Sequence, residues 1–242
     1  MFKNLFGTFF LSFFLVLCFV VFSFNFFFVI PDVVNSFAFS WSSPLNVFFH
    51  PLFHSGYEHL IFNVALIFLC GLVVERKIGF RHFLFLFFGG SFFSALMFVL
   101  FNPFDRIVGA SGGAVSLLVS SFAIDFKKTF LFGLFFFFVC LLLVQTISYN
   151  INLSKLESKV YVESLKAKVI ELESKNDPYV VVVKEEVSNR ESFISKVEAS
   201  EGFQFSAKPD LFVHFFGAVF GAFYCYLFLR EFLLYGRFKV ES

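Results

Sequence analysis

Three short clusters carry the side chains that could do chemistry in an otherwise apolar chain. The first is His54-Ser-Gly-Tyr-Glu-His59-Leu-Ile-Phe-Asn63, in which His59 and Asn63 stand four residues apart and so share one helix face. The second is Gly109-Ala-Ser111-Gly112-Gly-Ala114, a serine among residues small enough for close backbone approach. The third is His214-Phe-Phe-Gly217-Ala-Val-Phe-Gly221, a histidine three residues before a pair of glycines spaced by four. Taken singly, each has a plain structural explanation: an interfacial histidine bonded to backbone or water, or small residues that pack helices. Taken together, a serine at a helix start, a histidine that can take its proton and two further donors are the parts of a serine acyl-transfer site. Free backbone N–H groups and the helix dipole at such a start favour a developing negative charge. A dyad fits better than a triad, because Asp210 is the one carboxylate in the apolar body near His214. The competing chemistry is a metal site built from His50, His54 and His59. The sequence has no His-Glu-x-x-His and no carboxylate pair on a helix face, so that reading is the weaker one. No metal and no other cofactor is expected.

Elements that hold such residues must be membrane helices. Of the 242 residues 58% are hydrophobic and only 15% charged, against about half and a quarter in a soluble chain. That balance excludes a disordered chain, a nucleic-acid binder and an ordinary cytosolic enzyme. Cys18, Cys70, Cys140 and Cys225 all lie inside apolar runs and read as buried hydrophobes, not as a disulfide framework. Charge is concentrated: residues 155–210 hold nine of the 19 Lys+Arg and 11 of the 18 Asp+Glu. The chain therefore reads as a membrane domain, 1–149 with 208–242, interrupted by a charged extramembrane insert at 150–207.

A span needs about 20 mostly apolar residues. Hydropathy and charge boundaries place spans near 8–30, 57–74, 83–101, 111–124, 129–149 and 211–229, the fourth shorter than a bilayer. With the N-terminus inside, the inner segments hold Lys3, Arg76, Lys77, Arg81, Lys127, Lys128, Arg230, Arg237 and Lys239, and the outer loops 31–56 and 102–110 hold only Arg106. That bias orients the chain with its N-terminus cytoplasmic, and all three polar clusters then lie toward the outer side. The insert falls outside too. Ser154-Lys-Leu-Glu157 is a capping-box pattern opening a helix near 153–175, Asp177-Pro178 breaks it, Tyr179–Val183 reads as a short strand or extended piece, and 184–200 as helix again. Flexible joints are expected near Asn150 and Lys208.

In order and spacing these residues resemble the rhomboid family of intramembrane serine proteases. The family's His, then His-x-x-x-Asn, matches His54, His59 and Asn63; the same helix continues through Gly71 to Glu75-x-x-x-Gly79. Its Gly-x-Ser-Gly matches Gly109-Ala-Ser111-Gly112, and its His-x-x-Gly-x-x-x-Gly matches His214 through Gly221. The resemblance covers about residues 1–149 and 208–232. It implies an all-α, six-transmembrane-helix rhomboid-like bundle with a soluble, mainly helical insert between the fifth and sixth helices. It also implies roles: Ser111 as nucleophile, His214 as general base, and His59, Asn63 and the Ser111 N–H as the oxyanion hole. His54, Gly109, Gly112, Gly217 and Gly221 would support them. The substrates implied are single-span membrane proteins, cut near their outer ends by an enzyme of the cell membrane. The chain departs from the family in three places. Val115 stands where the family has an aromatic residue packed on its histidine. Trp41 lacks the usual Trp-Arg pairing. About 50 residues are added between spans five and six, where the insert could gate the site or bind a partner or substrate. A rhomboid-like pseudoprotease, binding membrane clients without cutting, is the alternative. A transporter or channel is a third reading, and the sequence lacks the paired intramembrane charges and internal repeat it would need.

Overall fold

A computed structural model describes residues 5–22, 31–206 and 211–228. The helices are α1 (Phe6–Phe22), α2 (Pro31–Phe37), α3 (Tyr57–Ile78), α4 (Phe80–Phe101), α5 (Ser111–Ile124), α6 (Phe126–Ser174), α7 (Val180–Ser206) and α8 (Leu211–Phe228). Two 3₁₀ turns, Pro44–Phe48 and His50–Leu52, lie between α2 and α3. No strand occurs among the described residues; isolated antiparallel bridges join Ser40 to Ser43 and Phe39 to Ile107, the latter through paired backbone bonds of 2.8 and 3.0 Å. An apolar chain without water must satisfy its N–H and C=O groups internally, and a helix does so within one segment. Among the described residues α3, α4, a stretch of α6 and α8 are long and apolar enough to cross a membrane, and α1 and α5 are shorter apolar helices. The first span expected from the sequence runs on to residue 30, and its last eight residues lie outside the described residues, as do Lys3, Asp210, Arg230, Arg237 and Lys239.

The chain divides into two compact units, one of the described residues up to Leu141 and from 211 onward, the other running from Leu142 through α7. In the first, α5 packs against α3, α4 and α8. Ala114, Ser116, Leu117, Ser120 and Ser121 of α5 are fully buried. Two of its buried hydroxyls turn back on their own helix: Ser120 Oγ donates to the Ser116 carbonyl at 2.9 Å and Ser121 Oγ to that of Leu118 at 2.8 Å. Ile67 of α3 and Phe83, Leu86 and Phe87 of α4 complete the core around it.

A buried carboxylate ties α1 to α3. Glu75, 2% exposed, accepts from the Gly7 N–H at 2.9 Å, the Thr8 N–H at 2.8 Å and Thr8 Oγ1 at 2.7 Å. The first N–H groups of a helix have no partner within it, so Glu75 satisfies the start of α1 and removes its own polar atoms from the apolar surroundings. Glu75→Gln would turn an amide donor toward these donors. It is expected to lower stability by about 1–3 kcal/mol, the cost of a buried polar group left unpaired. Thermal unfolding in detergent against the unsubstituted chain measures this.

The second unit corrects three local expectations. Residues 180–183 are helical, not extended. Tyr179 N–H bonds Asp177 Oδ1 at 2.9 Å, which starts α7, and Val183 is buried. The β propensity of a valine run is weak against such packing. The Ser154 box caps nothing, because α6 passes through Asn150 and Ser154 without interruption. For the same reason the joint expected near Asn150 is absent. The other joint, near Lys208, lies outside the described residues. Within this unit α6 and α7 form a hairpin pinned by Lys159–Glu198 (2.9 Å), Lys166–Glu191 (3.0 Å) and Lys184–Glu173 (2.7 Å).

Candidate active site

The candidate site is organised around the start of α5. Gly109 has φ of +120°, a conformation side-chain-bearing residues rarely adopt. Its space is closed as well, since a Cβ there would lie 2.4 Å from His59 Cε1. The Gly109 N–H donates to the His50 carbonyl at 2.9 Å, and His50 Nδ1 bonds the Val47 carbonyl at 2.9 Å. The turns before α3 and the loop before α5 are thus locked together two residues ahead of Ser111. Glycine here does two jobs: it makes the turn, and it lets the His59 ring lie on the backbone.

Ser111 is the first residue of α5 and is half-buried. The α5 N–H groups that lack helical partners are therefore next to its hydroxyl. From α3 come His59, in the first turn, and Asn63, one turn further. His59 Nδ1 is 3.3 Å from Ser55 Oγ. Asn63 is 4% exposed, and its Nδ2 has no hydrogen-bond partner among the described residues. An amide donor buried without an acceptor is costly unless something else supplies one. The buried His54 ring lies 5.2 Å from that of His59, edge to face.

α8 brings His214. Its Gly217 meets α5 backbone to backbone, where a Cβ would fall 2.4 Å from the Gly112 carbonyl oxygen; one turn on, a Cβ at Gly221 would fall 2.6 Å from that of Ser116. His214 lies about one turn before Gly217, and Ser111 directly before Gly112, so both flank the same close helix contact. The His59 and His214 rings are near enough to act on one another electrostatically. Residues of α3, α5 and α8 far apart in sequence thus converge. Among the described residues no group of three or more His, Cys, Asp or Glu could hold a metal ion.

Sequence reading missed several supports. Ser94 and Ser91 of α4 fill the space beside Gly112 and Gly113, where added Cβ atoms would come within 1.8 and 2.4 Å of their hydroxyls. The run Gly89-Gly90-Ser91 in the third apolar stretch is the sequence signal that could have found them. His50 stands out in the sequence only as a possible metal ligand, whereas its carbonyl braces Gly109. Trp41 Nε1 donates to the Val99 carbonyl at 3.1 Å, which pins the loop after α2 to α4.

The buried histidines outside the spanning helices set an acid limit. Burial lowers His50 from 6.5 to about 4, only partly offset by its bonds to the Val47 and Asn46 carbonyls. Burial, and next the His59 ring, hold His54 well below 6.5. Both rings are neutral in the folded chain at pH 7, and the unfolded chain binds their protons first. Stability is full above about 6.5 and falls as the pH drops toward 4, by up to about 1.4 kcal/mol per pH unit for each ring. Melting temperature measured across that window checks this, and His50→Asn is expected to flatten part of the fall.

The family model described as Rhomboid domain matches residues 41–164, just over half the chain. The match takes in Trp41, the His54–Asn63 cluster and Ser111, and ends before His214. No curated protein and no solved structure matches the chain.

Proposed function

Because the chain belongs to the rhomboid family, we propose that it is an intramembrane serine protease that cleaves transmembrane segments of membrane proteins with a Ser111–His214 dyad. The observation that carries this reading is the backbone contact of Gly217 on Gly112, which sets the helix bearing a histidine against the helix that begins with a serine. The unpartnered Asn63 amide supports it, as a donor held in place before its acceptor arrives. The length of α5 supports it too. Fourteen residues span about 21 Å, less than the hydrocarbon core of about 30 Å, so the helix start can lie below the outer surface, among protein groups that exclude lipid.

In this reading Ser111 Oγ attacks a peptide carbonyl while His214 takes its proton. The carbonyl oxygen gains negative charge, met by the Asn63 amide, His59 and the Ser111 N–H. His214 returns the proton to the departing amine, leaving an acyl group on Ser111. It then deprotonates the water that releases that group. Six helices, α1, α3, α4, α5, α6 and α8, would form the membrane domain, with the N-terminus cytoplasmic and the site facing outward. Residues 150–207 would form the extramembrane insert. Substrates would be single-span proteins whose helices unwind readily near their outer end.

Val115, in place of an aromatic residue, favours the second reading, a pseudoprotease that binds clients uncut. Reconstitution into liposomes with a panel of single-span reporters separates the two. Cleavage products with the wild type and none with Ser111→Ala support the protease. Reporters that are retained on the protein but never cut support the pseudoprotease.

A further inference from the structure

Within the α6–α7 unit, α6 carries two apolar faces and α7 covers one. The covered face follows heptad spacing through Ile151, Ser158, Val162, Leu165, Val169 and Leu172, with Lys155 completing the pattern; Ser158, Val162 and Leu165 are buried. The opposite face follows the same four-three spacing through Tyr149, Leu153, Leu156, Val160, Ala167 and Ile170. It is bare: Tyr149, Leu156, Val160 and Ile170 are each at least 60% exposed. The bare face is as apolar as the one α7 covers, which has a lysine and a serine in its seam. Its length from Tyr149 to Ile170 is about 33 Å, or three heptads.

Charge selects the occupant. Along the edge toward α7, Lys159, Lys166 and Glu173 are already engaged by Glu198, Glu191 and Lys184. In the bare seam and along its other edge stand Glu163, Glu157 and Glu171. Glu163 and Glu171 pair only along their own helix, with Lys166 and Lys175, and Glu157 has no partner among the described residues. A second copy of this helix in the same orientation would set Glu163 against Glu163 in the seam itself, and would offer Glu157 and Glu171 only Asn152 and a Lys166 already held by Glu191. We propose that the bare face of α6 is a docking surface for a partner protein's amphipathic helix, one with apolar heptads flanked by Lys or Arg. Such a helix would bury the seam and place its cations beside Glu157, Glu163 and Glu171.

The test uses the full chain in phosphatidylcholine nanodiscs and two labelled synthetic helices of four heptads. Both have Ile and Leu in the seam; one has Lys at all flanking positions, the other Glu. Fluorescence anisotropy, corrected for empty nanodiscs, is expected to show binding of the Lys helix, weakened by added salt, and none of the Glu helix. Leu156→Ser with Val160→Ser is expected to weaken that binding at least about tenfold, and Val182→Ser, exposed on α7, to leave it unchanged. Equal binding of both helices, or binding insensitive to the paired variant, overturns the proposal. So does a wild-type dimer that Leu156→Ser converts to monomer, which assigns the face to a second copy. The readout does not involve Ser111, so this inference and the protease reading fail separately.

Discussion

Gly217→Val is expected to slow substrate cleavage by about a hundredfold or more while leaving the helices intact. The first added atom alone would lie 2.4 Å from the Gly112 carbonyl oxygen. Ordinary carbon contacts begin about 1 Å further out, so α8 must move away from α5 by about that distance. That displacement acts on His214, one turn along α8, and a misplacement of about 1 Å at a reacting group costs about 10² in rate. The loss should fall on kcat more than on KM, because the substrate-binding surface is not what moves. Gly133→Val is the control: nothing lies within 4 Å of a Cβ there, and activity should be unchanged. Normal turnover by Gly217→Val would mean that the contact does not position the histidine.

The membrane helices were readable because lipid imposes a length and an apolar composition on them. The starts of α3, α5 and α8 at Tyr57, Ser111 and Leu211 fall within a residue or two of the expected boundaries. The polar clusters were readable for the same reason, since a histidine or asparagine in an apolar run stands out. Contacts that depend on backbone rather than side-chain identity were harder to see. The His50 carbonyl bracing Gly109 leaves no mark on the sequence beyond the glycine itself. The spacing of Glu75 to Gly79 is visible in the sequence, but its bonds to Gly7 and Thr8 join residues 68 and 67 positions apart. The insert misled most. A capping box at Ser154 and a valine run at 180–183 are local signals, and local signals yield when a helix can continue or a valine can be buried.

The central claim is that Ser111 is a nucleophile activated by His214, and covalent labelling tests it most directly. Detergent-solubilised wild type, Ser111→Ala and His214→Ala are treated with a fluorophosphonate, and the adduct is located by peptide mass mapping. An unactivated serine hydroxyl is a poor nucleophile at neutral pH, so reaction reports the base beside it. The account predicts an adduct on Ser111 in the wild type, none in Ser111→Ala, and a rate lower by about 10⁴-fold or more in His214→Ala, because the two residues act as one unit. A wild type that stays unlabelled while folded, or His214→Ala labelled at Ser111 as fast as the wild type, would contradict it.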